Sequence, residues 1–318
     1  MTVSPTAMPS GPAPSALQAV GSVPARSTTL LGTSEGSLFL ASQKGQAVTR
    51  IDPTSGAVLA QGDLGLGGEL AAVDAGGSIW VLQRSDGGAR MFGLAPRTLA
   101  IRHRRAFAST ADGIAAAGGH VWIGIGSSLT AIDPATGATI ARVPLPDTID
   151  RLAGDPDSGL IYVTLKGPVR KDQAPLLEID GSAGGPVADT RAGYADLGGV
   201  SRLIPTPDGV WVGEPTGMAG TLGFYANDLV APQGVEGKDG HGVILGANSI
   251  TGAYAGKHLW VAYGEATVTC ADPRTGRKLG TLTNGSLPGR GAVVAVGGRP
   301  MTVVDSTLYA IDEQLACS

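Results

Sequence analysis

One short run of sequence returns along the whole chain at intervals of roughly 40 to 50 residues. It reads SLFLAS at Phe39, SIWVLQ at Trp80, HVWIGI at Trp122 and LIYVTL at Tyr162. It continues as GVWVGE at Trp211, HLWVAY at Trp260 and PMTVV at Met301. A unit of this length is too small to bury an apolar face alone, so each copy must stack on its neighbours. Before each anchor lies a run of small apolar residues ending in a Gly- or Asp-containing turn, as in LAAVDAGG, GIAAAGGH and AVVAVGGR. After it comes a third run closing on a shared phrase: RIDPTSG, GLAPRTL, AIDPATG, EIDGSAG, FYANDLV, CADPRTG or AIDEQLA. A fourth run follows in most copies, as VLAQGDL, LAIRHRR, TIARVPL, VADTRAG and KLGTLTN. The spacing predicts four strands, a to d, repeated seven times.

The repeated Asp-Pro-x-Thr-Gly phrase is the chemistry of chain reversal. Asp accepts hydrogen bonds from nearby backbone N–H groups, Pro presets φ, and Gly takes the positive-φ position that other residues resist. The phrase therefore marks c–d hairpins. The tryptophans, at one fixed position in strand b, are expected to fill the space between neighbouring units. The last unit ends at AIDEQLACS, too soon for its own strand d. LQAVGSV, Leu17 to Val23, precedes the first strand a and has no unit of its own. It is expected to pair with the C-terminal strands and close a ring, which protects edges that an open array exposes.

The expected fold class is all-β: a seven-bladed β-propeller of four-stranded antiparallel blades, closed by an N-terminal strand. Composition agrees, with 318 residues, 50 glycines, 42% hydrophobic and 16% charged residues, which suits many short strands joined by tight turns. Residues 17–318 form one propeller domain in this reading, after a Pro/Ser/Ala-rich tail over residues 1–16. The net charge of −4 predicts neither nucleic acid nor an anionic membrane as a partner. The basic run IRHRR, Ile101 to Arg105, reads as a charged outer strand that discourages edge pairing. Apolar runs fall short of the roughly 18 residues of a membrane span, so no membrane insertion is expected of this chain. The first residues lack a basic n-region and an apolar h-region. The compartment is unassigned: exported or cell-envelope if the N-terminus is trimmed, cytoplasmic if it is native. Cys270 and Cys317 can form a disulfide in an exported protein or serve as apolar filler in a cytosolic one. A monomer is expected.

The VWIG-like strand b and the IDPATG turn resemble bacterial propeller families with YVTN, NHL or virginiamycin-B-lyase-type repeats. The resemblance covers nearly the whole chain after about residue 17. It implies the propeller and leaves activity open, because one fold carries many functions.

Propellers commonly bind through the face bearing the d–a and b–c loops and through the channel mouth. Residues leading into strand a on that face are Arg26, Glu69, Asp112, Asp150, Arg151, Arg202, Asn248 and Arg290. Mixed charges there can orient a polar ligand, or they can simply pair with one another. Irregular connections concentrate in blades four and five. KGPVRKDQAP carries Lys166, Arg170 and Lys171; DTRAGYADLGG carries Arg191, Tyr194 and Asp196; APQGVEGKDGHG carries Glu236, Lys238, Asp239 and His241. These three are expected to gather into one polar patch, because loops carry function more often than repeated strands do.

No metal or cofactor is predicted. The histidines His103, His120, His241 and His258 show no HxxxH-type pair. DPDSG at Asp155 lacks the distal Glu of a calcium loop and reads as an a–b turn. No GxSxG elbow occurs, and the His and Glu constellation of virginiamycin-B-type lyases is not recognisable. Two readings remain. The first is a non-catalytic binding or scaffold module for a protein, peptide or glycan. The alternative is a lyase or hydrolase at the channel mouth, with Glu69, Asp112 or Asp150 as acid–base group and Arg202 or Arg290 as anion clamp.

Overall fold

The computed structural model describes residues 16–23, 27–42, 44–65, 67–166, 176–182, 202–216, 219–226, 242–245, 250–263, 267–283, 292–304 and 306–317. Almost all of them lie in strands and tight turns. Strand β1 (Leu17–Ser22) comes before the first repeat unit. The first blade contains β2 (Ser27–Ser34), β3 (Ser37–Ser42), β4 (Ala47–Ile51) and β5 (Val58–Asp63). The second contains β6 (Glu69–Ala75), β7 (Ser78–Ser85), β8 (Gly88–Leu94) and β9 (Ile101–Phe107). The third contains β10 (Gly113–Ala117), β11 (His120–Ile125), β12 (Ser128–Ile132) and β13 (Thr139–Pro144). Of the fourth, β14 (Ile149–Gly154), β15 (Leu160–Leu165) and β16 (Leu176–Asp180) are described; its expected strand d, VADTRAG, lies outside the described residues. The fifth contains β17 (Arg202–Thr206), β18 (Gly209–Thr216), β19 (Ala219–Ala226) and β20 (Gly242–Leu245). The sixth contains β21 (Ile250–Ala255), β22 (His258–Tyr263), β23 (Thr267–Ala271) and β24 (Lys278–Thr283). The seventh contains β25 (Ala292–Val296), β26 (Arg299–Val304) and β27 (Thr307–Ile311), followed by one helical turn, α1 (Glu313–Ala316).

Each blade is an antiparallel meander in chain order, and the seventh takes β1 as its outer strand, in the order β1-β27-β26-β25. Leu17 pairs with Ile311 and Ser22 with Thr307 in that sheet. The closing strand expected from LQAVGSV is therefore present. The inner strands β2, β6, β10, β14, β17, β21 and β25 neighbour one another in that order, and β25 returns to β2. Seven sheets thus form a closed ring.

The core is distributed between the blades. Seven clusters of buried side chains each draw on two adjacent blades. One joins Trp80, Leu82 and Met91 to Ile114, Val121 and Ile123; another joins Trp211 and Phe224 to Leu259 and Val261. A middle strand is covered on both faces, so it reads as a continuous apolar run, whereas an outer strand alternates. β7 and β11 are buried along most of their length, while β5 shows the pattern exposed-exposed-half-buried. Trp80, Trp122, Trp211 and Trp260 are all at most 1% exposed, as their position in strand b predicts. Trp122 and Trp260 donate their indole N–H groups to the carbonyls of Ala117 and Ala255 within their own blades. The Trp211 indole reaches across to the Pro273 carbonyl of the next blade, at 2.7 Å.

The c–d turns form as their letters require. Asp52, Asp133 and Asp272 accept from the backbone N–H two residues on, at 2.8, 2.8 and 2.9 Å. Gly56, Gly137 and Gly276 adopt φ of 72°, 72° and 67°, the left-handed region that glycine enters without a Cβ clash. The second blade keeps this shape with different letters: Leu99 holds the same position at φ 58° and is only 2% exposed, so packing offsets its backbone strain. DPDSG forms the plain turn expected, with Asp155 accepting from Asp157 and Gly159 at φ 76°.

Candidate functional site

The meander gives the ring two unlike faces. One, the turn face, carries the a–b and c–d hairpins. The other is where inner strands begin and where the d–a and b–c connections run; it surrounds the mouth of the central channel. Glu69 is the first residue of β6, Asp112 immediately precedes β10, Asp150 and Arg151 lie near the start of β14, and Arg202 opens β17. The structure therefore brings five of the predicted mouth residues to one rim. Arg26, Asn248 and Arg290 lie outside the described residues.

These side chains pair with one another, within a blade or with the next one. Arg84, at the end of β7, meets Glu69 at 2.6 Å and donates to the Asp112 carbonyl of the third blade at 3.1 Å. Lys166, just beyond β15 in the fourth blade, reaches one Asp112 carboxylate oxygen at 2.7 Å, and the other oxygen accepts from the Gly126 N–H at 3.1 Å. Three consecutive blades are stitched together at the mouth. In the fourth blade Asp150 meets Arg151 at 3.5 Å. Each carboxylate considered for acid–base chemistry thus faces a cation of the same rim.

Arg202 differs. Among the described residues it has no acidic partner. Its side chain reaches solvent, yet the ring crowds it on several sides. A narrow mouth lets water touch a group while replacing much of its hydration with protein. That burial, and then the like charge of Arg151 on the neighbouring inner strand, pull the Arg202 guanidinium below its ordinary value. It remains charged at physiological pH. The described part of the mouth therefore presents paired carboxylates beside a cation that meets no acidic partner among the described residues, an arrangement suited to holding an anionic or strongly polar group.

Of the predicted loop residues, Lys166 is described and joins the rim. Arg170, Lys171, Arg191, Tyr194, Asp196, Glu236 and His241 lie outside the described residues. Among the described residues that flank these segments, Leu165 pairs with Ile149 and Thr164 with Leu176 at the mouth, whereas Ala226 pairs with Gly209 beside the a–b turn.

Sequence reasoning did not pick out the sixth–seventh blade junction. Cys270 on β23 and Cys317 after α1 form a disulfide, Cα–Cα 5.5 Å. Beside it His258 pairs with Glu313, and Asp312 caps α1 by accepting from the N–H groups of Gln314 and Leu315. A Cβ at Gly280 would collide with the Ala316 carbonyl, so the missing side chain lets the C-terminal turn lie against β24. His258 and the two sulfurs lie close together, but sulfurs bonded to each other are not thiolate ligands. A cleft of ≈ 320 Å³ opens nearby on the turn face, lined by Gly298, Arg299, Pro300, Asp312 and Glu313. Only the Cys-to-Cys alternative had been legible in the sequence.

The fold and rim define a seven-bladed β-propeller with a polar channel mouth. No family model matches the chain, and no curated protein matches it either. Among solved structures it is similar to the computationally designed Ika8 protein, with a TM-score of 0.61 and 13% identity, over 92% of this chain and 99% of that one. It is also similar to BamB from Moraxella catarrhalis, with a TM-score of 0.49 and 16% identity, over 92% of this chain and 84% of that one. At such identities the likeness concerns the fold alone.

Proposed function

We propose that this protein is a non-catalytic binding or scaffold module that recognises a protein, peptide or glycan through its channel-mouth face, built on repeats of the YVTN, NHL or virginiamycin-B-lyase type. The observation that carries this reading is the rim itself. Glu69, Asp112 and Asp150 are held by Arg84, Lys166 and Arg151, which suits a fixed recognition surface better than a proton-transfer site, while Arg202 offers a cation to a ligand. A rigid ring also loses little conformational freedom when it binds. Arg191, Tyr194 and Asp196, with Lys166, Arg170 and Lys171, extend the surface in this reading. Glu236 and His241 stand as a secondary contact in this reading. The disulfide supports an oxidising setting, exported or at the cell envelope, because such bridges are rare in the cytosol.

The test is a screen of arrayed glycans and displayed peptides against the wild-type ring, repeated with R191A/Y194A and with R202Q. Ligands retained by the wild type and lost by both variants, at unchanged melting temperature, are the expected result. Equal retention by all three proteins would remove the mouth as the binding face.

A further inference from the structure

Strand β9 is the outer edge of the second blade. It pairs with β8 along one side and, among the described residues, with no strand along the other. Its sequence, IRHRRAF, is exposed or half-buried throughout. Three arginines lie in five residues, and among the described residues none of them meets a carboxylate. They are pinned by neutral groups instead. Arg102 donates to the Gly77 carbonyl at 3.1 Å. Arg104 lies over the Phe92 ring and Arg105 over the Phe107 ring, at 5.4 and 5.3 Å. Arg105 also donates to the Thr139 hydroxyl at 2.6 Å, joining β9 to the start of β13. There Ile140 is 51% exposed and Arg142 is exposed; Ile101, at the head of β9, is 38% exposed.

Among the described residues, the outer rim of the second and third blades is thus a strand edge without a partner strand, carrying ordered positive charge and aliphatic side chains. A chain of net charge −4 has no internal need for such a stripe. Charge alone would guard an edge against self-association, and mobile lysines would do that as well. Guanidiniums held in place by rings and carbonyls are preorganised, which lowers the ordering cost of binding.

We propose that β9 accepts an extended acidic segment of another protein as an added strand, with the partner's carboxylates on the face that carries Arg102 and Arg104 and its aliphatic residues on the opposite face, towards Ile140 of the third blade. Main-chain pairing supplies the register and alternate side chains supply selectivity. This surface is separate from the channel mouth.

The probe is a capped peptide of about eight residues alternating Glu and Val, the length of an ordinary strand. It is compared with a Lys-Val counterpart and with two versions N-methylated at alternate residues, one in each register. The parent peptide is expected to bind and to protect β9 amides from hydrogen exchange, and the Lys-Val peptide is expected not to bind. One of the N-methylated peptides should bind at least about tenfold more weakly, or 1.4 kcal/mol. The R102Q/R104Q protein should lose binding to a similar degree, and K278Q, on the outer strand of the sixth blade, should not. Equal binding of both N-methylated peptides would reduce the effect to charge attraction and overturn strand addition. Protection elsewhere than β9, or capture by phosphatidylglycerol vesicles but not by the peptide, would overturn it too. Hydrogen exchange on the unaltered protein decides the matter should R102Q/R104Q fail to fold.

Discussion

Leu17 lies opposite Ile311 on adjacent antiparallel strands, so the first and last described strands of the chain share one sheet. The pairing hides the outer edge of β27 and places Val20 and Val23 against the apolar cluster between the seventh and first blades. Removing residues 1–23 should lower the melting temperature by roughly 10 °C, as loss of several kcal/mol does in a domain of this size. Removing residues 1–14 leaves β1 in place and should change it little. Thermal unfolding followed by circular dichroism distinguishes the two truncations, and equal melting temperatures would contradict closure by β1.

The disulfide closes a loop with a sequence separation of 47. Cross-linking limits the unfolded chain, an effect of about 2–4 kcal/mol for such bridges. C270S/C317S, or the wild type under reductant, should therefore unfold at lower urea. The ring should persist, because β1–β27 pairing does not depend on the bridge.

The three turn aspartates predict an acid limb of stability. Bonds from the Thr54 hydroxyl and N–H hold Asp52 below its ordinary value of 3.8, and the Ala135 N–H and Thr136 hydroxyl do so for Asp133. At Asp272 burial is the largest single influence and pushes upward, but the N–H groups of Thr275 and Arg274, the Thr275 hydroxyl and the charge of Arg277 leave it below its ordinary value. A carboxyl depressed by folding stabilises above its unfolded value and loses that contribution as pH falls through its folded value. Stability should decline below about pH 4. D52N/D133N/D272N keeps the acceptors and removes the titration, so its urea midpoint should fall less steeply with acid. An unchanged slope would remove these turns as the cause.

Trp122 is fully buried and its indole N–H is satisfied by Ala117. Trp122→Ala leaves a cavity at the junction of the third and fourth blades, where it packs with Ile149, Ile161 and Leu177. The expected loss is about 3–5 kcal/mol, measured by urea unfolding. A loss below about 1 kcal/mol would mean that the junction collapses around the gap.

How far the sequence could be followed differs between fold and site. Trp80, Trp122, Trp211 and Trp260 were assigned to inter-blade packing from spacing alone, because a middle strand is covered on both sides wherever it occurs. Asp133 and Gly137 announced their turn for a similarly local reason. The rim was less accessible. Glu69, Asp112 and Asp150 were visible as polar letters before strand a, but their partners were not. Arg84 stands at the far end of its own hairpin, and Lys166 comes from the next blade. Glu313 and His258 likewise meet only because the C-terminal turn folds back on the sixth blade.

The sequence alone determined the number of blades, the order of strands within them, the hairpin turns and the strand that closes the ring. All of these follow from hydrophobic period and local backbone preference. Only the tertiary structure decided which charges pair across blades, that Arg202 meets no acidic partner among the described residues, that Cys270 meets Cys317 and that the arginines of β9 line an edge with no described strand beyond it. Those facts depend on distances between residues far apart in the chain, and such distances exist only once the ring has closed.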